Sequence, residues 1–448
     1  MGADGAPRFI VAQIGARRGY AVPAILDQAG LLELFYTDVC GDIGWGRQIA
    51  RARCVPGLRS RLSRLAGRRL PGAIRGRTRT FAWPTCHHAW RAGRTRSDAA
   101  AAFREHLRFS DALGRAMTRA GYGSATHIYS MLGECASFLA EGHRRGLKVV
   151  SDVYILLSAE GLLAQERRDF PDWEPDVPDF AAIRRQVMGE SVLLSRSDHF
   201  ICPSRVVQDD LVTNFGIARE RTSLVPYGVH PRWLSVEVQP ARGRVLFVGE
   251  ANLRKGIHYL AMAAERLRRQ GEGREFRVAG HVTPRTAEQP VCRNLLFLGR
   301  LPRDRIHEEF AAADVFVLPS LAEGSAGVTY EALAAGVPVV TTPAAGSVVR
   351  DGIEGRVVPE RDPVALADAI AEIVEDRDQR VRMSIAARQR ARDYTWERYG
   401  ERLVGVLRLL PSVSEASVSE PSAVHASLRC LQRKQTIGEP SISSDAYR

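Results

Sequence analysis

Short apolar runs alternate with amphipathic stretches of helical period along most of the chain. In the first half, the runs RFIVAQI (8–14) and KVVSDVY (148–154) have the length and apolar content of buried strands. Strands that alternate with helices are typical of a parallel sheet covered on both faces. A second alternating series begins at Arg244. The pattern therefore predicts an α/β protein with two doubly wound, Rossmann-like parallel-sheet domains, over residues 1–235 and 236–393.

The segment LPSLAEGSAGVTYEALAAGVPVVTT (318–342) is the most informative about function. Its pattern predicts a buried strand, a loop of small residues, a short helix and a second buried strand. N–H groups at the start of such a helix, together with the helix dipole, favour an anion such as a phosphate. The backbone groups that we expect to face this anion belong to Ser325, Ala326, Gly327 and Val328.

Two glutamates flank the predicted helix start. Glu323 precedes it, and Glu331 lies about one turn inside it among apolar residues, where a lone carboxylate is costly unless a partner binds it. A phosphate at the helix start with a carboxylate one turn away suits a nucleotide diphosphate, whose ribose hydroxyls would donate to Glu331. Glu323 is then left to face the group on the other phosphate. Taken singly, each glutamate has an equally good ordinary interpretation, one as a carboxylate at a helix start and the other as a surface residue.

The motif EGSAGVTYE (323–331), followed by ALAAGVPVV, resembles the E-x7-E signature of retaining GT-B glycosyltransferases of family 4, the glycosyl transferases group 1. The segment FVGEANLRKGIHYL (247–260) resembles the phosphate-binding strand and loop of that family. The resemblance covers residues 195–400 well and residues 1–160 in outline. It implies GT-B architecture, in which two doubly wound domains face each other and a final helix, here 394–410, crosses back to the first domain.

The resemblance also implies roles for residues at the carboxyl ends of the second-domain strands. Lys255 would act as a point charge on the donor diphosphate and, with Glu323, would carry the chemistry. The further residues implied in donor binding, beside Glu331 and the helix start, are Gly249, Arg254, Gly299 and Arg300.

The chain departs from the family pattern at two places. Glu250 stands where the family usually has an arginine, so a second cation on the diphosphate depends on Arg254. In the first domain, Asp152 and Tyr154 stand where the family often has a histidine, and neither can be given a role from the sequence.

The first strand is followed by a loop with two glycines, Gly15 and Gly19, which lacks the G-x-G-x-x-G spacing of a dinucleotide site. We interpret it as a loop that faces the cleft between the domains. Asp172 and Asp176 do not have the D-x-D spacing of metal-dependent glycosyltransferases of another fold, and the CHH run at 86–88 has no partner cluster nearby. We therefore expect neither a metal nor a cofactor, with the nucleotide sugar as a substrate.

The distribution of charged residues indicates a basic insert at about residues 41–120. We expect this insert to be irregular apart from helix over 99–120. It holds 18 arginines, no lysine and four acids, so its net charge is 18 − 4 = +14, against +12 for the whole chain. This concentration predicts an anionic partner. In LRSRLSRLAGRRL, Leu58, Leu62 and Leu65 would share a helical face among arginines, as in interfacial membrane helices. The alternative is a solvated arginine-rich insert; nucleic acid is not expected, because no nucleic-acid-reading module is visible.

Length and composition agree with a soluble protein of two or three domains: 448 residues, 45% hydrophobic and 25% charged. No apolar run reaches membrane-spanning length and the N-terminus lacks an export pattern, so we expect a cytoplasmic protein that is either free or peripheral on the inner membrane face. Scattered cysteines fit reduced thiols. Residues 411–448 are Ser-rich and are expected to be a disordered tail.

These features lead to the hypothesis of a retaining, metal-independent glycosyltransferase of the hexosyltransferase type. It would move a sugar from a nucleotide-diphosphate sugar to a glycan or lipid-linked acceptor, with the donor on the second domain and the acceptor on the first. Two alternatives stay open. One is a nucleotide-sugar epimerase or hydrolase of the same architecture, and the other is a non-catalytic glycosyltransferase-like binding protein, suggested by Glu250 and the missing histidine.

Overall fold

The computed structural model describes residues 6–51, 65–92, 94, 98–175, 177–188, 194–271 and 273–411. Leu58, Leu62 and the predicted tail beyond residue 411 lie outside these residues. Within the described ranges, no helix combines the length and apolar character that a bilayer crossing requires.

Within the described residues, the first sheet has seven parallel strands in the order β3-β2-β1-β4-β5-β6-β7. Every residue of the adjacent strands β1 and β4 is buried, as expected for strands covered by helices on both faces. The strands are β1 Phe9–Gln13, β2 Leu32–Thr37, β3 Thr78–Thr80, β4 His127–Met131, β5 Lys148–Asp152, β6 His199–Cys202 and β7 Thr222–Leu224.

Helices connect these strands and cover both faces of the sheet. They are α1 Ala21–Gln28, α2 Gly44–Arg51, α3 Ala82–Ala92, α4 Ala99–Ala120, α5 Ala136–Arg144, α6 Ala159–Asp169, α7 Phe180–Met188 and α8 Arg205–Phe215. The bounds of α8 follow from its ends: the Ser204 hydroxyl accepts from the Val207 N–H, and Gly216 adopts a left-handed conformation (φ 65°).

The second sheet, over the part of the chain that the structure describes, has six parallel strands in the order β10-β9-β8-β11-β12-β13. The prediction of two doubly wound parallel sheets is therefore confirmed. The strands are β8 Arg244–Val248, β9 Glu275–Ala279, β10 Leu295–Gly299, β11 Val315–Leu318, β12 Val339–Thr341 and β13 Gly355–Val357. The helices are α9 Ile257–Arg269, α10 Pro284–Ala287, α11 Arg303–Ala312, α12 Gly327–Ala335, α13 Pro363–Glu375 and α14 Arg377–Arg392.

Two segments tie the halves of the molecule together. The last described helix, α15 (Trp396–Arg408), packs on α1, and its residues Tyr399, Leu403 and Leu407 belong to the core of the first domain. In the other direction, the segment after α6 lies on the second domain, where Trp173 is buried in the core. The chain therefore crosses between the domains more often than the predicted division at residue 235 suggests.

The basic insert is more regular than expected. Helices α2 and α3 lie within it, in addition to α4 over the predicted range. It also supplies the edge strand β3, which pairs in parallel with β2. The expectation of an irregular segment was wrong because β3 is a three-residue strand of polar residues (TRT), which carries no apolar signal.

Candidate functional site

The order of the second sheet changes direction between β8 and β11, which lie side by side at its centre. Ligands of doubly wound sheets bind beyond the carboxyl ends of the strands at such a switch point. The loop after β8 carries Arg254 and Lys255, and the loop after β11 carries Glu323. The topology therefore brings the predicted chemical residues to the position where this class of sheet binds ligands.

Arg254 and Lys255 both reach Glu323. Lys255 Nζ lies 2.8 Å from Glu323 Oε1, and Arg254 Nη1 donates to the same oxygen. The three side chains are 13 to 25% exposed. The two neighbouring cations therefore converge on one point, which makes the site attractive to an anion.

Glycines allow the two loops to approach so closely. At Gly256 (φ 70°), a Cβ atom would lie 1.9 Å from the Pro319 carbonyl oxygen, so only glycine fits between the loops. At Gly249 (φ 151°), a Cβ would lie 2.9 Å from Cδ of Lys255, whose side chain runs past this strand end. The Asn252 side chain accepts from the Lys255 N–H at 3.1 Å and fixes the turn.

The loop before α12 offers some of the expected N–H groups to a ligand. The Ala326 N–H donates to the Ala345 carbonyl at 3.0 Å, so the expectation that it faces an anion needs correction. The Ser325 hydroxyl donates to a backbone carbonyl of the next loop at 2.9 Å. Within the described chain, the backbone N–H groups of Ser325, Gly327 and Val328 have no acceptor. Gly327 and Val328 lie in the first turn of α12 and Ser325 lies just before it, so these three groups are the ones left for an anion.

Glu331 lies in the second turn of α12 without a hydrogen bond or ion pair to any described residue. Burial raises the pKa of its carboxyl to about 7, and attraction to Arg303 and Arg232 opposes this shift. A desolvated carboxyl without a partner in the protein has its acceptor capacity free for ligand hydroxyls.

Gly299 and Arg300 lie on the rim of the same site, at the end of β10. The Gly280 N–H donates to the Gly299 carbonyl at 2.8 Å. A Cβ at Gly280 would lie 1.7 Å from the Gly249 carbonyl oxygen, so the ends of three neighbouring strands touch through their backbones. Arg300 is exposed and makes no ion pair with a described residue. Its contact with a nucleotide base stays a prediction.

The site borders the first domain at Gly324. A Cβ at this position would lie 1.9 Å from the Tyr154 carbonyl oxygen, and the Ser204 hydroxyl donates to the Gly324 carbonyl at 2.5 Å. The Tyr154 ring is 39% exposed and lies beside Arg17, whose guanidinium carbon is 5.1 Å from the ring centroid. A first-domain surface containing Tyr154 and Arg17 therefore stands next to the loop that carries Glu323.

The glycine loop of the first domain borders this cleft. Gly15 and Gly19 have positive φ angles of 77° and 61°. Arg17, which lies between these glycines, donates from Nη2 to Glu134 at 2.7 Å. The Gly15 N–H donates to Asp38 at 3.0 Å. Two carboxylates thus fix the loop at the carboxyl end of β1, with the Arg17 guanidinium beside the exposed tyrosine ring at the cleft.

Nothing in the sequence indicated Arg18, which forms an ion pair with Asp152 and thereby explains the role of that carboxylate. Arg18 Nη1 lies 2.5 Å from Asp152 Oδ2, the Tyr129 hydroxyl donates to the same oxygen at 2.5 Å, and Arg18 also donates to the Tyr399 hydroxyl at 3.0 Å. Asp152 is buried. It therefore joins β5 to α15 and is not free to bind a sugar or acceptor. No local signal could have found this pair, whose members are 134 positions apart.

Among the described residues, no group of three or more His, Cys, Asp or Glu side chains could hold a metal ion. D-x-D spacing does occur in the chain, at Asp376 and Asp378. Asp376 caps α14 by accepting from the Gln379 N–H at 2.8 Å, and the next residue, Arg377, donates to Asp314 just before β11. This acidic pair therefore lies at the amino edge of the sheet, opposite the candidate site.

The two sheets and the site at the central switch point define a protein of GT-B architecture. HepE from Anabaena, solved in complex with UDP, aligns over 90% of this chain and 100% of its own, with a TM-score of 0.57 and 15% identity. Sucrose-phosphate synthase from Thermosynechococcus elongatus aligns over 90% of this chain and 98% of its own, with a TM-score of 0.56 and 16% identity. At these identities the likeness establishes the fold alone.

Sequence comparison shows which glycosyltransferases this chain is similar to. Residues 242–376, which lie in the second domain, match the family model of glycosyl transferases group 1. The D-inositol 3-phosphate glycosyltransferase of Corynebacterium urealyticum is 34% identical over 197 residues, which are 40% of this chain and 46% of that protein. The glycogen synthase of Mycobacterium tuberculosis is 32% identical over 229 residues, 48% of this chain and 55% of that protein. The chain thus spans about half the length of the curated relatives it matches.

Proposed function

We propose that the protein is a retaining glycosyltransferase that moves a sugar from a nucleotide-diphosphate sugar to a hydroxyl of a glycan or lipid-linked acceptor, without a metal ion. The observation that carries the proposal is the convergence of Arg254 and Lys255 on Glu323 at the switch point of the second sheet. The carboxylate of Glu323 occupies the position in which two cations would bind a donor phosphate. The family match of the second domain supports this assignment.

The diphosphate is bound by side-chain cations and backbone donors. Lys255 and Arg254 contact one side, and the N–H groups of Gly327 and Val328 contact the other. As the bond between the sugar and the phosphate breaks, negative charge grows on the departing phosphate oxygen. The cations and the N–H groups are already in place to stabilise that charge, which is the task that a metal ion performs in other glycosyltransferases.

The nucleoside lies along α12. The ribose hydroxyls donate to Glu331, whose carboxyl has no other partner among the described residues. The base reaches the rim at Gly299 and Arg300. Because HepE was solved with UDP and with UDP-glucose, uridine is the first base to test.

The reacting sugar lies between Glu323 and the first domain. Once the diphosphate binds the two cations, the Glu323 carboxylate is released to accept from a sugar hydroxyl and to stabilise positive charge that develops on the sugar. The bond from the anomeric carbon to the phosphate oxygen breaks, and the acceptor oxygen forms the new glycosidic bond. The acceptor proton leaves with the nucleotide diphosphate. Tyr154 and Arg17 flank the side from which the acceptor enters.

A ligand screen tests this proposal. Thermal unfolding is followed with UDP, GDP, ADP and dTDP and their sugars, on the wild type and on Lys255→Ala, with Lys148→Ala as a matched control on the first domain. We expect one nucleotide to raise the melting temperature of the wild type and of the control, and to have little effect on Lys255→Ala.

Mass analysis of the products then separates the alternatives. A sugar joined to an acceptor, or released from the donor to water at a slow rate, supports a transferase. An isomerised donor would instead establish an epimerase, and binding without turnover of any donor sugar would establish a non-catalytic protein. Absence of binding by all four nucleotides would contradict the donor site itself.

A further inference from the structure

Three of the six tryptophans are exposed, and all three lie in the basic insert. Trp45, Trp83 and Trp90 are 75%, 82% and 60% exposed, whereas Trp173 and Trp233 in the second domain are at most 6% exposed. A tryptophan side chain is among the largest apolar groups that folding buries. Three of them left in water within one segment mark an interaction surface.

Trp83 and Trp90 lie two turns apart on one face of α3. His87 stands between them, with its ring centroid 6.2 Å from that of Trp90. Arg94, just beyond the helix, covers Trp90 with its guanidinium carbon 3.6 Å from the ring centroid. The exposed face of α3 is therefore both aromatic and cationic.

The opposite face of α3 is attached to α4. The His88 ring stacks on Phe109 with centroids 4.3 Å apart, and Arg91 Nε donates to Glu105 at 2.8 Å. These contacts fix the rotation of α3 about its axis. The two tryptophans of α3 are therefore held toward solvent by the fold.

Helix α2 adds the third tryptophan to the same region. Gly44, its first residue, lies against the end of β3, because a Cβ there would be 3.3 Å from Thr80 Oγ1, and α3 begins two residues after Thr80. Trp45 follows Gly44 directly and is exposed, whereas Gly46 and Ala50 are buried. We call Trp45, Trp83, Trp90 and Arg94 the tryptophan face.

The segment that carries the tryptophan face is strongly basic. Residues 43–97 contain 14 arginines and neither Asp nor Glu. Tryptophan rings favour the headgroup region of a bilayer, where the apolar ring is covered and the N–H stays hydrogen-bonded. Arginines near an anionic membrane surface are attracted to it, and the attraction increases with their number. An anionic lipid surface therefore matches both properties of the face.

We propose that the tryptophan face docks the protein on an anionic lipid bilayer. The contact is made by tryptophans on two folded helices, with arginines around them that bind lipid phosphates. This inference does not rest on the proposed glycosyl transfer, since neither α2 nor α3 contributes a residue to the donor site.

The test uses the full chain and sedimentation with vesicles of phosphatidylcholine and phosphatidylglycerol, against vesicles of phosphatidylcholine alone. We expect binding to the anionic vesicles, falling steeply between about 0.1 M and about 0.5 M salt. A variant with Trp45, Trp83 and Trp90 each changed to Ser should bind more weakly by about tenfold or more. The control changes Val381 and Ile385 to Ser, because they are 52% and 65% exposed on α14 of the second domain. This control should bind like the wild type.

A measurement on the unaltered protein complements the variants. Lipids brominated along their acyl chains should quench the tryptophan emission of the wild type, because only an inserted ring meets the bromine atoms. Unchanged vesicle binding by the triple variant, or absence of quenching, would overturn the proposal. A wild-type protein that dimerises through these tryptophans and ignores vesicles would overturn it as well, in favour of a second copy as the occupant.

Discussion

At the scale of single residues, the site contains two carboxyl groups in opposite surroundings. Glu323 is held by Lys255 and Arg254, whereas Glu331 has no partner among the described residues and burial raises its pKa to about 7. In the proposed complex, a donor phosphate would displace the ion pairs of Glu323, whereas a donor hydroxyl would supply the hydrogen bond that Glu331 lacks. Their responses to substitution and to pH should differ accordingly.

The raised pKa of Glu331 predicts how stability depends on pH. Between its ordinary value of 4.5 and about 7, the folded protein keeps a proton that the unfolded chain has lost, so this group lowers stability as pH rises through that window. Glu331→Gln should therefore be more stable than the wild type at pH 8, by on the order of 2 kcal/mol, and similar to it near pH 4.5. Thermal unfolding at both pH values measures this, with Glu250→Gln as an exposed control. An equal effect of Glu331→Gln at both pH values would contradict the assignment.

Donor kinetics should separate the two glutamates. Glu331→Ala removes a contact with the ribose, far from the breaking bond, so it should raise the donor KM by about tenfold to a hundredfold, for a loss of roughly 1.5–3 kcal/mol. Glu323→Gln keeps the size of the side chain but removes its charge next to the reacting sugar, so it should lower kcat far more than it raises KM. Lys255→Ala should harm both constants. A silent Glu323→Gln beside a Glu331→Ala that lowers only kcat would mean that the donor binds in the reverse orientation.

At the scale of elements, α6 and the residues after it support the loop after β8, which carries Arg254 and Lys255. Glu166 is buried and accepts from His258, Tyr259 and Arg361 at 2.7 to 2.8 Å. Burial opposes its charge, but these hydrogen bonds outweigh burial and lower the pKa of the Glu166 carboxyl to about 2. Glu174 then accepts from the N–H of Leu253, in the turn that ends at Lys255, at 2.8 Å. A first-domain segment thus helps to position the predicted catalytic cation.

Removing the carboxyl of Glu166 should destabilise the protein, because the buried groups around it lose their shared partner. We expect Glu166→Ala to cost about 3–5 kcal/mol, whereas Glu160→Ala on the same helix, with a half-exposed carboxyl, should cost less than about 1 kcal/mol. Urea unfolding at neutral pH measures both. The Glu166 contribution is present above the ordinary pKa of 4.5 and disappears as pH falls through about 2. Equal costs for the two variants would contradict the bracing role.

In the basic insert, the charge could be read from the sequence but the exposed side chains could not. Its arginine content indicated an anionic partner, but the expected contact residues were leucines, of which Leu58 and Leu62 lie outside the described residues. The exposed tryptophans could not be recognised from the sequence, because tryptophan side chains are on average largely buried and the sequence does not indicate which ones are exposed. Only the packing of α3 on α4 shows which of its faces is left in solvent.

At the scale of the whole molecule, the two sheets could be predicted because their strands are buried on both faces and form nearly continuous apolar runs. The loop before α12 could be predicted from its small residues and the buried strands around it. Contacts between distant segments could not be predicted, since neither the pairing of Glu166 with His258 nor that of Arg18 with Asp152 leaves a local pattern. For the same reason the prediction for the Ala326 N–H was wrong, because this group donates to a carbonyl of a loop distant in sequence.

The proposed reaction is metal-independent transfer with retention at the anomeric carbon, in the cleft where the Glu323 loop meets Tyr154. Proton NMR of the first sugar released from the donor tests it most directly, because water can serve as the acceptor when the natural one is unidentified. With an α-linked donor and excess chelator, we expect the α-anomer to appear first, before mutarotation, and Glu323→Gln to suppress its release. Initial release of the β-anomer, or turnover that stops with chelator and returns with magnesium or manganese, would contradict it.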